Sequence, residues 1–63
     1  MGYVIVRKLP GYTGYFKEFL GEGCAFPVFI GSNHQREAKV FASKQEARKV
    51  IRALGGRYSV EEL

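Results

Sequence analysis

The apolar positions of the first half of the chain fall in short strand-like runs separated by glycines, and a helical period appears only after Ser43. Tyr3 to Leu9, YVIVRKL, is β-branched and aromatic, which suits a pleated surface better than a helix. Its alternation sets Val4 and Val6 on one face and Tyr3, Ile5 and Arg7 on the other. Both faces carry apolar groups, so a central strand is expected. Pro10-Gly11 breaks the run and Gly14 punctuates again, which predicts a hairpin loop from Pro10 to Gly14. Tyr15 to Leu20 alternates as a second strand, with Tyr15, Lys17 and Phe19 opposite Phe16, Glu18 and Leu20. Gly21-Glu22-Gly23 ends it. Phe26 to Ile30 is a short apolar run whose Pro27 lacks a ladder donor, which places it at a sheet edge or a strand start. Gly31 to Arg36, GSNHQR, is a polar loop.

Glu37 to Gly56 reads as a short extended lead-in, a capped amphipathic helix and a glycine stop. Ser43 is a good N-cap, and Glu46 completes the S-x-x-E capping box. Ala47, Val50, Ile51 and Leu54 recur at i, i+3, i+4 and i+7 as one apolar stripe. Lys49 and Arg52 lie toward the C-terminal end, where cations suit the helix dipole. Gly55 fits the left-handed position that ends a helix. A helix this short is marginal alone in water, so packing must hold it. Arg57 to Leu63 reads as a last strand, with Tyr58 and Val60 on one face. The predicted fold is therefore α+β with the order βββαβ. A three-stranded antiparallel meander carries the helix on one face, and a C-terminal strand closes it, all in one domain over residues 1–63.

Size narrows the picture further. A chain of 63 residues has room for one core, near the lower limit for folding alone. One cysteine cannot form an internal disulfide, and one cysteine with one histidine cannot close a zinc site. Stability must then come from apolar packing, for which 46% hydrophobic and 14% aromatic residues are ample. The lone thiol suits a reducing compartment. Met1-Gly2 leads directly into a strand pattern and no apolar run is long enough for a bilayer, so a cytoplasmic protein without membrane partners is expected. Ten Lys and Arg against six Glu give a formal charge of +4. That favours anionic partners, nucleic acid or an acidic protein surface, and also lies within the range that merely keeps a small domain soluble.

Little in the chain spells out a reaction. Cys24 and His34 are the sole nucleophile–base pair of their kind, ten residues apart, with nothing to orient the imidazole. Aspartate is absent altogether, and Glu61 and Glu62 alternate across a strand, so they cannot share a proton. The glycines of 21–23 lack the third glycine and the strand-to-helix setting of a dinucleotide loop, and no GK[ST] phosphate loop occurs. No enzyme, cofactor or metal is expected.

Two surfaces remain. Lys44, Arg48 and Arg52 fall at i, i+4 and i+8 with Lys49 beside them, a cationic ridge that could contact phosphates or simply form the solvated back of the helix. One helix covers only one sheet face. With Val4, Val6, Phe16 and Leu20 beneath it, Tyr3, Ile5, Arg7, Tyr15, Lys17 and Phe19 form an open face of aromatics and cations, with Tyr12 in the adjoining loop. Such a face serves a protein partner, a second copy of the chain, or single-stranded nucleic acid.

The outline of a YVIV strand, an AKVF segment, SKQEA opening a short helix, a glycine stop and a final YSVEE strand resembles short proteins encoded by phages and prophages. The likeness covers Tyr3 to Val6 and Ala38 to Glu62. It implies an accessory role in phage or mobile-element biology, such as host takeover or inhibition of a host defence protein, and it carries over no catalytic residue and no ligand. The expectation is a non-enzymatic binding module that engages a host macromolecule, a protein before all, through Tyr3, Ile5, Arg7, Tyr12, Tyr15, Lys17 and Phe19. Nucleic-acid binding by Lys44, Arg48, Lys49 and Arg52 is the alternative, and a homodimer burying the open face is a further one.

Overall fold

The computed structural model describes residues 2–24 and 26–63. Among them four strands form one antiparallel sheet: β1 (Tyr3–Leu9), β2 (Tyr12–Leu20), β3 (Phe26–Gly31) and β4 (Ser59–Glu62), in the spatial order β3-β2-β1-β4. One helix, α1 (Lys44–Leu54), lies between β3 and β4 in the chain. The α+β class and the single amphipathic helix match the sequence reading, as do a central β1 and an edge position for β3 with its Pro27.

Turn chemistry shifts some boundaries. The hairpin between β1 and β2 closes through Pro10 and Gly11 alone, with Leu9 paired to Tyr12 and Gly11 at φ 74°. Proline followed by a left-handed glycine is the sequence a type II turn uses, so Tyr12 and Thr13 belong to β2 and not to a five-residue loop. The polar segment after β3 is a short 3₁₀ turn, Ser32–Glu37, packed against β2 and β3. Another 3₁₀ turn, Glu22–Cys24, joins β2 to β3 with Gly23 at φ 70°.

A β-bulge decides how the aromatic residues of β2 are distributed. Phe16 pairs with Phe29, but the next pair is Glu18 with Val28, leaving Lys17 as the extra residue. Simple alternation would send Phe16 and Phe19 to opposite faces. With Lys17 bulged out they share one, their rings edge-on with centroids 5.0 Å apart. The bulge also bends β2 away from β1, whose mutual pairing runs only from Val6–Tyr15 to Leu9–Tyr12. Residues 39–41 fill the resulting split. The Lys39 amide donates to the Phe16 carbonyl at 2.9 Å, while Tyr3 and Phe41 exchange amide-to-carbonyl bonds of 2.9 and 2.8 Å. The extended lead-in to the helix is thus a stand-in strand between β1 and β2.

The helix covers Phe16 as expected, but on β1 it covers the face opposite to the expected one. Ile5, Phe16, Phe41 and Ala47 form the buried cluster beneath it, with Tyr3, Phe19, Phe29, Val50, Ile51, Leu54, Tyr58 and Val60 packed around them. Val4, Val6, Tyr15 and Ala38 form a second cluster on the other side, supported by Ile30. Tyr3, Ile5 and Phe19 therefore lie in the helix-side core, and Leu20 is exposed, not covered. The reason is physical. A period of two says which residues travel together but not which set meets the helix, and the Tyr3–Phe41 bridge brings the helix start over Tyr3 and Ile5. Ala47, with no accessible surface, lets the helix backbone sit close to the sheet. Nor is the far face open, because Val4, Val6 and Tyr15 are buried there beside Ala38.

The helix ends follow the sequence. The Glu46 amide donates to Ser43 Oγ at 3.3 Å, and Glu46 Oε2 accepts from the Ala42 amide at 3.3 Å, a capping box reaching one residue further back than usual. Gly55, at φ 72°, closes the last turn with its amide on the Ile51 carbonyl at 3.1 Å.

Candidate functional site

The seven residues read as a single open face lie in four different settings. Ile5 is fully buried, Tyr15 nearly so on the opposite side of the sheet, and Tyr3 and Phe19 are half-buried around the helix. Lys17, displaced by the bulge, is held near Glu37 at 3.8 Å and Glu18 at 4.0 Å. Arg7 and Tyr12 are exposed near the hairpin end of the helix-side face. The Arg7 guanidinium carbon sits 5.6 Å from the Phe29 ring centre, and the Tyr12 ring lies over Gly14, the residue paired with Arg7. Only these two of the seven are both exposed and close to each other.

The helix cations are a different matter. Lys44, Arg48, Lys49 and Arg52 are all exposed, and among the described residues none lies within 4.0 Å of a carboxylate. Three of the six glutamates are paired elsewhere: Glu61 with Lys8 at 3.4 Å, Glu18 and Glu37 with Lys17, and Glu37 also with His34 at 3.0 Å. Glu46 faces its own helix start. Pairing therefore leaves α1 with an uncompensated positive outer face. Such exposed pairs are worth at most about 1 kcal/mol each, but they fix where the net charge is felt.

That face borders a groove. Lys44, Arg48, Ile51, Tyr58 and Val60 line a concavity of about 370 Å³ between α1 and β4, and Gln45, Arg48, Lys49 and Arg52 line a smaller one of about 260 Å³. Arg48 contributes to both. Lys44 is steadied over Tyr3, its Nζ 5.9 Å from the ring centre. Tyr58, on the groove floor, stacks on Phe29 with centroids 5.5 Å apart and planes 5° from parallel. Sequence reasoning found the cations but not the floor. Its one signal was that Tyr58 and Val60 share a strand face.

The side chain of Cys24 lies outside the described residues; His34, which nothing in the sequence paired with it, is exposed and lies 3.0 Å from Glu37. Among the described residues no three His, Cys, Asp or Glu side chains converge on a metal-sized site, and no helix is long and apolar enough to cross a membrane. No family model matches the chain, and neither curated proteins nor solved structures yield a match. Fold and surface together define a small α+β domain whose distinguishing feature is a charged helix flank beside a sheet edge.

Proposed function

We propose that this chain is a non-enzymatic binding module whose partner is an acidic macromolecule, a protein before all, engaged by α1 and the groove beside it. The observation that carries the reading is the segregation of charge. Four helix cations have no carboxylate neighbour among the described residues, while Glu18, Glu37 and Glu61 are paired away from them. A protein partner fits better than a phosphate backbone because Ile51, Tyr58 and Val60 line the groove beside the cations, apolar surface that a run of phosphates would leave uncovered. The likeness to phage-encoded proteins extends the reading to a cytoplasmic accessory protein that blocks a host protein by occupying its acidic surface.

The test is capture from nuclease-treated extract of the source cell by the wild-type chain and by the Arg48→Glu, Arg52→Glu double variant. Both positions are exposed, so the fold should survive. Capture lost in the variant supports the reading, and capture unchanged removes it. Nucleic-acid binding is the second reading, favoured by the i, i+4, i+8 spacing of Lys44, Arg48 and Arg52. It requires a gel shift at low salt that weakens steeply as salt rises.

A further inference from the structure

Three features of β4 bear on what the groove holds. First, β4 ends the sheet, with β1 on one side and, among the described residues, no strand on the other. Second, the ladder fixes which of its backbone groups point outward. The Leu63 amide donates to the Gly2 carbonyl at 2.8 Å, and Tyr3 turns its amide and carbonyl to Phe41 instead of to Glu62. Hydrogen-bonded and non-bonded pairs alternate along an antiparallel ladder. The Tyr3–Glu62 and Ile5–Val60 pairs are thus non-bonded, and the N–H and C=O of Val60 and Glu62 face away from β1. Third, Val60 lies on the helix side of the sheet, lining the groove with Lys44 and Arg48. A strand laid against this edge would receive four backbone hydrogen bonds, two at each outward residue. The side chain opposite Val60 would enter the groove beside Arg48.

We propose that β4 and the α1–β4 groove accept an extended acidic peptide segment as a fifth strand, with carboxylates on the alternate residues that face Arg48. Main-chain bonds then supply affinity, and the groove reads every second side chain. The inference rests on the acidic-partner reading above and specifies how that partner docks. The opposite edge is a poorer acceptor, since β3 carries Pro27 and the 3₁₀ turn packs against it. A second copy of the chain is disfavoured by charge. Pairing β4 with its own copy would set two Lys44–Arg48–Arg52 ridges across one valley. The cations of α1 above this edge select a partner of opposite sign.

The experiment uses three fluorescent probes at low salt: a ten-residue peptide alternating threonine and glutamate, the same peptide with lysine for glutamate, and a single-stranded oligonucleotide of ten thymidines. Anisotropy should report binding of the glutamate peptide alone. On its addition, the backbone amides of Val60 and Glu62 in the unaltered chain should become protected from hydrogen exchange. Glu62→Pro removes an outward N–H that β1 does not use, so the ladder stays intact while affinity for the peptide falls at least tenfold. Arg48→Glu should weaken binding by a similar factor. If the peptide binds, yields to Arg48→Glu, but is indifferent to Glu62→Pro and leaves both amides exchanging freely, strand addition is wrong and the acidic-partner reading stands. Binding of the oligonucleotide in place of the peptide overturns both, as does failure of every probe to bind.

Discussion

Ala47 and Gly2 are small for reasons that only the packed structure makes plain. Ala47 has no accessible surface and contacts the cluster of Ile5, Phe16 and Phe41, so the helix rests on the sheet through a methyl group. A Cβ at Gly2 would overlap Val40 Cγ1, so glycine there lets residue 40 fold across the start of β1. Intrinsic helix propensity for leucine is close to that for alanine, so Ala47→Leu tests packing alone. It is expected to destabilise by about 1–3 kcal/mol through overpacking, seen as a lower urea midpoint. An unchanged midpoint would mean that the helix stands further off the sheet than the buried cluster implies.

At the scale of elements, the Lys17 bulge does more than rearrange two phenylalanines. By bending β2 it opens the place that residues 39–41 occupy, and so it sets the position of α1 as well. Lys17→Ala should cost under about 1 kcal/mol, because only exposed ion pairs are lost. Deleting Lys17 should regularise the ladder, close the split and cost considerably more. Loss of exchange protection at the Tyr3 and Phe41 amides would report it. Features confined to neighbouring residues were legible in the sequence: the Ser43–Glu46 cap, the Gly55 stop, the apolar stripe and the Pro10-Gly11 turn. The bulge was not, because its extra residue is a lysine with no glycine to mark it. The choice of sheet face was not either, since Tyr3, Ile5 and Phe19 are as apolar as Val4 and Val6. The candidate site divides in the same way. Helical spacing alone aligned Lys44, Arg48 and Arg52, whereas the groove they border exists only because β4 returns beside the helix.

For the whole molecule, the central fact is that β1 is buried on both sides. Val4, Ile5 and Val6 are consecutive, and all are essentially inaccessible, feeding two clusters at once. Their shelter comes from β2, from residues 38–41 and 47, and from β4. A chain ending at Tyr58 would lose β4 and leave the N-terminal half of β1 as a bare apolar edge. It should fail to fold cooperatively, with no sigmoidal urea transition in circular dichroism; a normal transition would show β4 to be dispensable. The same arrangement bears on synthesis. A ribosome makes Tyr3–Val6 early, yet the strand that flanks it arrives only with residues 59–62, seconds later at ordinary elongation rates of about 5–20 residues per second. Through that interval the β4 side of YVIV has no partner strand, and an unpaired β-prone edge is the kind of segment that seeds association between nascent chains. Arg7 and Lys8 follow it directly, and both are exposed in the finished fold. Besides the Lys8–Glu61 ion pair and the Arg7–Phe29 contact of the folded state, two adjacent cations at the end of such a segment oppose association of unfinished copies.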